Sequence, residues 1–299
     1  MTSPMNILTG AGPVAGAQAT LGWWLMIVSA VVVTVVAILV LVGGLRRRNN
    51  REALVQRTGA GMRWVIVGGV IVPAIILIVT FAFTIATENA IAAPSADPAV
   101  TVQVIGHRWW WEIRYAGDPQ HTVVTAGELH VPVGLPVRVE LTSADVIPGQ
   151  RNVTWIEADK PGVYRGQCTE YCGMQHSNMA VFVVAEPPAQ FAHWLDSQSK
   201  PAAAPTDPDA AAGMAVFQKS ACATCHAIRG TDALGRVGPD LTHVADRTTI
   251  AGGALANTRG NLAGWIANSQ AIKPGNDMPT MTLSAGDLQA LVSYLETLK

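Results

Sequence analysis

Two of the four cysteines lie in a short run whose side chains could bind a soft metal ion. The run CTEYCGMQHSNM contains Cys168, Cys172 and His176 and ends at Met179. Thiolate, thioether and imidazole ligands suit copper better than they suit hard cations. The spacing therefore predicts a copper site in a loop. A plain disulfide between the two cysteines is the alternative in an oxidising compartment.

The other two cysteines, Cys222 and Cys225, are followed directly by His226 in the pattern C-x-x-C-H. This spacing is typical of covalent haem attachment, in which two thiols join one haem and the histidine binds its iron. A redox-active dithiol is the alternative, but the surrounding sequence has no βαβ pattern. The chain is therefore predicted to hold a c-type haem in addition to copper.

A second iron ligand is expected further along the chain. The run IKPGNDMP (272–279) resembles the axial-methionine loop of class I cytochromes c. This resemblance implies that Met278 binds the iron, with Met281 as the alternative, and that residues 210–299 form an all-α cytochrome c domain. A thioether ligand stabilises ferrous iron and raises its reduction potential. His243 is expected to be a surface residue.

Two uncharged apolar runs, Leu21–Leu45 and Trp64–Thr87, precede both motifs. Each run would span about 36 Å as a helix, enough to cross a hydrocarbon core of about 30 Å. Pro73 lies inside the second run and is expected to kink the helix without ending it. The runs predict a transmembrane hairpin.

The loop between these two runs is strongly basic, so it is expected in the cytoplasm and both ends of the chain outside. Its arginines are Arg46, Arg47, Arg48, Arg51, Arg57 and Arg63.

Short β-prone runs between residues 100 and 184 predict an all-β sandwich or small barrel. An amphipathic helix over 187–198 is expected to close it. The predicted runs are Val100–Ile105, Arg108–Tyr115, Pro136–Leu141, Asn152–Ile156, Gly162–Gln167 and Met179–Val184.

These patterns divide the chain into five parts. The predicted parts are an external tail (1–20), a transmembrane hairpin (21–88), a copper domain (89–198), a Pro/Ala linker (199–209) and a cytochrome c domain (210–299).

Composition excludes several classes of protein. Only 14% of the residues are charged, and the net charge is −1. With a positive mean hydropathy of +0.28, this argues against a disordered chain and against a nucleic-acid-binding one. Four cysteines are too few for a disulfide scaffold of this size.

Longer stretches resemble subunit II of cytochrome c oxidase. They are GHRWWWEIRY (106–115), GELHVPVGLPVRVELTSADVI (127–147) and PGVYRGQCTEYCGMQHSNM (161–179). With the two-helix anchor and the fused cytochrome c, the order of parts is similar to that of caa-type oxidases. The resemblance implies a cupredoxin-like barrel and membership of a proton-translocating oxidase whose oxygen chemistry lies in another subunit.

The resemblance also implies roles for residues of the copper loop. Cys168 and Cys172 would bridge two coppers, His176 would bind one of them, and Met179 would be a weak ligand. Glu170 would lend its backbone carbonyl, and its side chain would face a magnesium site shared with subunit I.

Trp109, the first of three consecutive tryptophans, resembles the residue through which electrons enter the copper site. One copper ligand of the family has no counterpart here. The family places a histidine directly after the SADVI strand, whereas Pro148 follows Ile147 in this chain. With one imidazole missing, we expect weakened or altered copper binding, such as a mononuclear site. Three histidines upstream, none of them at that motif position, are His107, His121 and His130.

The function implied is electron transfer at a bacterial inner membrane. Electrons would pass from a soluble or membrane-bound cytochrome donor to the haem, to copper, and then to subunit I among the other membrane subunits. Tethering the haem raises its effective concentration near the copper. Two alternatives are a membrane-anchored c-type cytochrome with a defective copper site and a copper chaperone.

Overall fold

The computed structural model describes residues 8–49, 58–94, 96–116, 122–145 and 149–299. The described residues up to Pro94 belong to one compact unit and those from Ala96 onward to another. Some residues named above lie outside the described residues. They are His121, the arginines at 51 and 57, and residues 146–148, which include the position where the copper-binding histidine is absent.

The first unit is a pair of long apolar helices. Its elements are α1 (Pro13–Asn49), α2 (Thr58–Ile66), a π-helical turn (Val67–Ile71) and α3 (Val72–Ile91). Within the spans Pro13–Arg46 and Gly61–Ile91, stretches of 18 residues have mean hydropathies of 3.2 and 2.8, and each span is long enough to cross a membrane. Trp24 of α1 packs edge-on against Phe83 of α3, with ring centroids 6.2 Å apart.

Pro73 does not end the second helix, in agreement with the prediction. Its ring cannot donate the backbone hydrogen bond that the helix ladder requires. The π turn Val67–Ile71 comes just before it, and the helix continues to Ile91. A wider turn of this kind is one way in which a membrane helix accommodates proline.

The second unit begins with two β-sheets that pack on each other. The five-stranded sheet has the order β3-β2-β1-β5-β6, and the three-stranded sheet has the order β4-β8-β7. The strands are β1 (Val100–His107), β2 (Trp110–Tyr115), β3 (Val123–Ala126), β4 (Glu128–Pro132), β5 (Val137–Ser143), β6 (Asn152–Ile156), β7 (Gly162–Gln167) and β8 (Ala180–Glu186).

Alternating side chains of both sheets fill the core of this β module. The buried members include Val102, Ile113, Val131 and Val137. Helix α4 (Pro188–Ser199) closes one end through Phe191.

His130 of β4 is structural. Its ring stacks on Trp194 of α4 at 3.9 Å, and its Nδ1 lies 3.3 Å from a carboxylate oxygen of Glu186.

A helical module follows, and its first and last long helices cross. Its elements are α5 (Pro208–Lys219), α6 (Cys222–Cys225), β9 (Thr249–Ile250), β10 (Leu255–Ala256), α7 (Arg259–Ala267), α8 (Ser269–Ile272) and α9 (Ala285–Glu296). Asp207 caps α5 by accepting a hydrogen bond from the Ala210 amide, as its position before Pro208 predicts. Ser284 caps α9 in the same way, accepting from the Asp287 amide.

The predicted Pro/Ala linker lies against the helical module. The Ala202 amide donates to the Arg229 carbonyl at 2.9 Å, and Nε2 of His243 lies 3.0 Å from the Lys200 carbonyl oxygen. The surface prediction for His243 is therefore wrong, because only 4% of this residue is exposed. The linker covers it, a contact that no local sequence pattern reveals.

Candidate metal centres

The copper loop connects β7 to β8, so the two strands fix both of its ends. The Cys168 amide donates to the Met179 carbonyl at 3.0 Å, which closes the loop at its base. The side-chain amide of Gln167 donates to the carbonyls of His176 and Met179 at 2.8 and 3.2 Å. The loop is thus held from inside by main-chain and amide hydrogen bonds.

Soft donor atoms converge in this loop. Sγ of Cys172 lies 3.7 Å from Sγ of Cys168, 3.6 Å from Nδ1 of His176 and 3.8 Å from Sδ of Met179. The carbonyl oxygen of Glu170 lies 3.2 Å from Sγ of Cys168. Both cysteines are free thiols and buried. Sulfur and imidazole donors this close together fit a copper site.

Burial changes the acid–base behaviour of these thiols. Burial, followed by the hydrogen bond and charge of Cys168, raises the pKa of Cys172 to about 11, against an opposing attraction from Lys273. The Cys172 thiol is therefore protonated at neutral pH without metal. Copper must displace that proton, so copper affinity should rise with pH.

The three consecutive tryptophans occupy different environments. Trp109 is buried, and its indole Nε1 donates to the Cys172 carbonyl at 2.7 Å. Trp110 stacks on His107 with ring centroids 4.3 Å apart. Trp111 is partly buried and packs against the copper-loop residues. Trp109 thus has a direct hydrogen bond to the copper loop.

The C-x-x-C-H segment forms the short helix α6 and the residue after it. Nδ1 of His226 lies 2.7 Å from the Pro239 carbonyl oxygen, and the Gly238 amide donates to the Cys225 carbonyl at 2.8 Å. Burial lowers the pKa of His226, against the hydrogen bond to Pro239. The imidazole is therefore neutral, and with Nδ1 donating, Nε2 is the nitrogen that can bind iron.

A largely apolar cavity opens beside this segment and fits a haem. Its wall includes Cys222, Cys225, His226 and Met278. Arg247 also lines it, and its buried Nε has no hydrogen-bond partner among the described residues. A haem carries acidic propionates, which would give that group a partner.

Both candidate methionines border the cavity, but Met278 is held more firmly. Its carbonyl accepts from Ser269 Oγ at 2.7 Å and from Gln270 Nε2 at 2.9 Å. Its amide donates to Asn276 Oδ1 at 2.8 Å. Met281 lies on the same wall without appearing in this network. The position of Met278 is therefore fixed by its own loop.

The wall of the haem cavity also includes residues of the β module. Trp109, Trp110, Ala126 and Gly127 border it, together with Arg108. The sequence did not predict this shared wall, because the packing of one module on another leaves no local signal. Trp109 therefore touches both candidate metal centres.

Lys273, which the sequence analysis did not single out, lies between the centres. Only 2% of it is exposed, and its Nζ donates to the Trp109 carbonyl at 2.6 Å. Burial lowers its pKa to about 8, against an attraction from Cys172. Its ammonium is therefore charged at neutral pH.

Two known protein families match the sequences of the helical module and the β module. Residues 210–299 match the family model for cytochrome c, and residues 134–186 match the model for the periplasmic domain of cytochrome c oxidase subunit II.

Similar curated proteins are named cytochrome c oxidase subunit 2. The one from Alkalihalophilus pseudofirmus is 34% identical, over 77% of this chain and 71% of its own. The one from Bacillus sp. (strain PS3) is 31% identical, over 77% of this chain and 72% of its own. A solved periplasmic domain of subunit II from Bradyrhizobium japonicum is 26% identical with a TM-score of 0.33, covering 35% of this chain and 96% of that one.

Proposed function

Because the chain belongs to the cytochrome c oxidase subunit II family, we propose that it moves single electrons from a c-type haem in its helical module to copper in its β module. In an oxidase complex, this chain would be the subunit that receives electrons from the donor. The oxygen-reducing subunit I would be the next acceptor.

The copper would be held by the loop between β7 and β8. Cys168, Cys172, His176 and Met179 would hold the copper through sulfur and nitrogen, and the Glu170 carbonyl would be a further ligand. The close approach of their donor atoms supports this assignment. Copper bound in this way supplies a one-electron couple. With a single imidazole among these residues, we expect copper to be held less firmly than by two.

The haem would be held by thioether bonds from Cys222 and Cys225, with His226 and Met278 as iron ligands. His226 is neutral and oriented by Pro239, as an iron ligand needs to be. The apolar wall would exclude water from the haem, and Arg247 would face its propionates.

The observation that carries the proposal is the placement of Trp109. It borders the haem cavity, and its indole donates to the carbonyl of Cys172 in the copper loop. One buried side chain would thereby connect the two centres.

The partners proposed are subunit I, other membrane subunits and a cytochrome electron donor. The exposed Glu170 side chain is available for a magnesium ion shared with subunit I. The two apolar helices anchor the chain in a membrane. We place both modules outside the bacterial inner membrane.

The test is the metal content of the purified full chain. We expect one iron per chain and copper that is lost when His176→Ala is introduced. His193→Ala, which changes an exposed histidine of α4, should leave copper unchanged. Iron without copper, even after copper is added, would favour the membrane-anchored cytochrome. Transfer of copper to an apo-oxidase would favour the chaperone.

A further inference from the structure

A buried cation joins the two modules beside Trp109, which borders both candidate centres. Nζ of Lys273 donates to the carbonyls of Trp109 and Asn178 in the β module, at 2.6 and 2.8 Å. It also donates to the carbonyl of Ala251 in the helical module, at 2.9 Å. An ammonium group has three donors, so all three are used and the charge has no need of water.

Lys273 lies close in sequence to a candidate haem ligand, and one of its acceptors lies next to a candidate copper ligand. Lys273 directly follows α8, five residues before Met278, and Asn178 directly precedes Met179. One ammonium therefore ties the methionine loop of the haem module to the copper loop and to Trp109. Nearby, Nε2 of Gln175 donates to the Pro274 carbonyl at 2.9 Å.

The acceptor in the helical module is held in an uncommon conformation. Ala251 has φ of 56°, in the left-handed region that non-glycine residues seldom adopt. Its carbonyl points at Lys273, and the next residue, Gly252, accepts from the Ala180 amide at 3.0 Å. A strained backbone conformation of this kind persists where surrounding contacts stabilise it. Here one such contact comes from Lys273 of the same module and the other from Ala180 of the β module.

A buried anion makes the reciprocal contact. Glu128 of β4 is 3% exposed, and its Oε1 accepts from the Thr248 amide at 2.7 Å and the Thr249 amide at 2.9 Å. The hydroxyl of Thr248 donates to the same oxygen at 2.6 Å. Each module thus places one charge into polar groups of the other.

The contacts of Lys273 and Glu128 should determine the orientation of the helical module on the β module more than the strength of their association. Burying a charge costs free energy that its hydrogen bonds only offset, so such contacts add little net attraction. In any other orientation, the buried ammonium would lose the carbonyls of Trp109 and Asn178, which strongly disfavours that orientation. The linker already keeps the modules together at high effective concentration.

Building on the proposed function, we propose that Lys273 is a positioning residue that fixes the haem module in the orientation where Trp109 closes the haem cavity. The reaction it serves moves one electron: haem iron is oxidised from ferrous to ferric, and copper is reduced by that electron. No bond forms or breaks, so the rate depends on the geometry that Lys273 maintains.

The test uses the full chain in detergent, loaded with haem and copper. After photochemical reduction of the haem, Lys273→Met should slow electron transfer to copper about tenfold or more, since small misplacements are costly. The haem midpoint potential should stay unchanged, and the copper potential is measured in both proteins so that the change in driving force from removing a charge near Cys172 is corrected for. Lys219→Met, at an exposed lysine of α5, is the matched control and should transfer at the wild-type rate.

Amide hydrogen exchange supplies a readout that does not depend on electron transfer. In Lys273→Met the amides of Ala180, Thr248 and Thr249, which donate across the interface, should exchange faster than in wild type. Amides in the core of each module should be unaffected.

A second variant covers the case in which Lys273→Met does not fold. A Cβ at Gly252 would meet the Trp109 carbonyl and would lie 2.8 Å from Nζ of Lys273. Gly252→Ala should therefore slow transfer in the same way while leaving the lysine in place.

An unchanged rate in Lys273→Met would overturn the proposal. So would a slower rate that the shift in copper potential fully accounts for, or one accompanied by lost metal, because the effect would then lie in the centres themselves. Failure of wild type to transfer at all would instead overturn the proposed function.

Discussion

Gly238 shows how one backbone position can determine whether haem binds. A Cβ built there would overlap the imidazole ring of His226, and its distance to ring Nδ1 would be 2.8 Å. The same residue donates its amide to the Cys225 carbonyl. Glycine therefore lets the loop that orients His226 approach the C-x-x-C-H segment closely.

We predict that Gly238→Ala lowers haem incorporation several-fold, because the imidazole must move away from its iron-binding position. Haem per polypeptide, measured after alkaline denaturation, checks this. Gly264→Ala in α7 is the control, since its Cβ would meet no heavy atom of the described residues within 4 Å. Full haem loading of Gly238→Ala would contradict the assignment of His226.

The two methionines of the cavity wall can be separated by substitution. We predict that Met278→Leu removes the thioether-to-iron absorption band of the ferric protein and lowers the haem midpoint potential. Met281→Leu should change neither. Loss of the band in Met281→Leu, with the band retained in Met278→Leu, would instead assign Met281 as the iron ligand.

The candidate metal ligands could be proposed from the sequence, whereas the residues that join the modules could not. Cysteine spacing points to metal chemistry because the chemistry itself requires that spacing. In the sequence, Lys273 and Glu128 look like ordinary charged surface residues, because only the packing of the other module buries them. His243 was placed on the surface for the same reason, and the linker buries it.

At the scale of elements, the crossing of α5 and α9 determines the shape of the helical module. A Cβ at Gly213 of α5 would collide with the Ala290 carbonyl and would lie 2.8 Å from Cβ of Tyr294. Phe217 and Tyr294 pack beside this crossing with ring centroids 6.1 Å apart. The two helices can approach this closely only because residue 213 lacks a side chain.

We predict that Gly213→Ala destabilises the helical module by about 1–3 kcal/mol, because the helices must separate. Thermal unfolding followed at the haem band measures this. Gly286→Ala is the control on α9, since its Cβ would lie 3.8 Å from the nearest atom, Ser284 Oγ. Equal stability of Gly213→Ala and wild type would contradict the described crossing.

Most elements follow from local patterns, and the exceptions have a physical reason. The strand predicted over Gly162–Gln167 is found with the same bounds. The short strands β3 and β4 were missed, because Gly127, with φ of 76°, separates them and interrupts any alternation. Their place in the sheets depends on pairing with distant strands.

At the scale of the whole molecule, the predicted fold class is confirmed: two apolar helices, a β module and a helical cytochrome c module. The anchor restricts the modules to a membrane surface, and the contacts of Lys273 and Glu128 orient the helical module on the β module. The haem module is therefore docked as well as tethered. Docking of this kind would make the proposed electron transfer from haem to copper a process within a single molecule.

Orientation across the membrane is a further prediction. We expect alkaline phosphatase fused after Lys299 to be active, because that end lies outside. Fusion within the arginine-rich loop after Arg46 should be inactive, since the loop lies in the cytoplasm. Phosphatase activity in whole cells measures both. Active fusion in the loop would contradict the predicted orientation.

The central claim, that one chain passes electrons from its haem to its copper, can be tested in a single kinetic measurement. The haem of the purified full chain is reduced by a light flash without oxygen, and haem and copper absorbance are followed together. The account predicts that haem reoxidation and copper reduction share one rate that does not change with protein concentration. A haem that stays reduced, or a rate proportional to protein concentration, would contradict it.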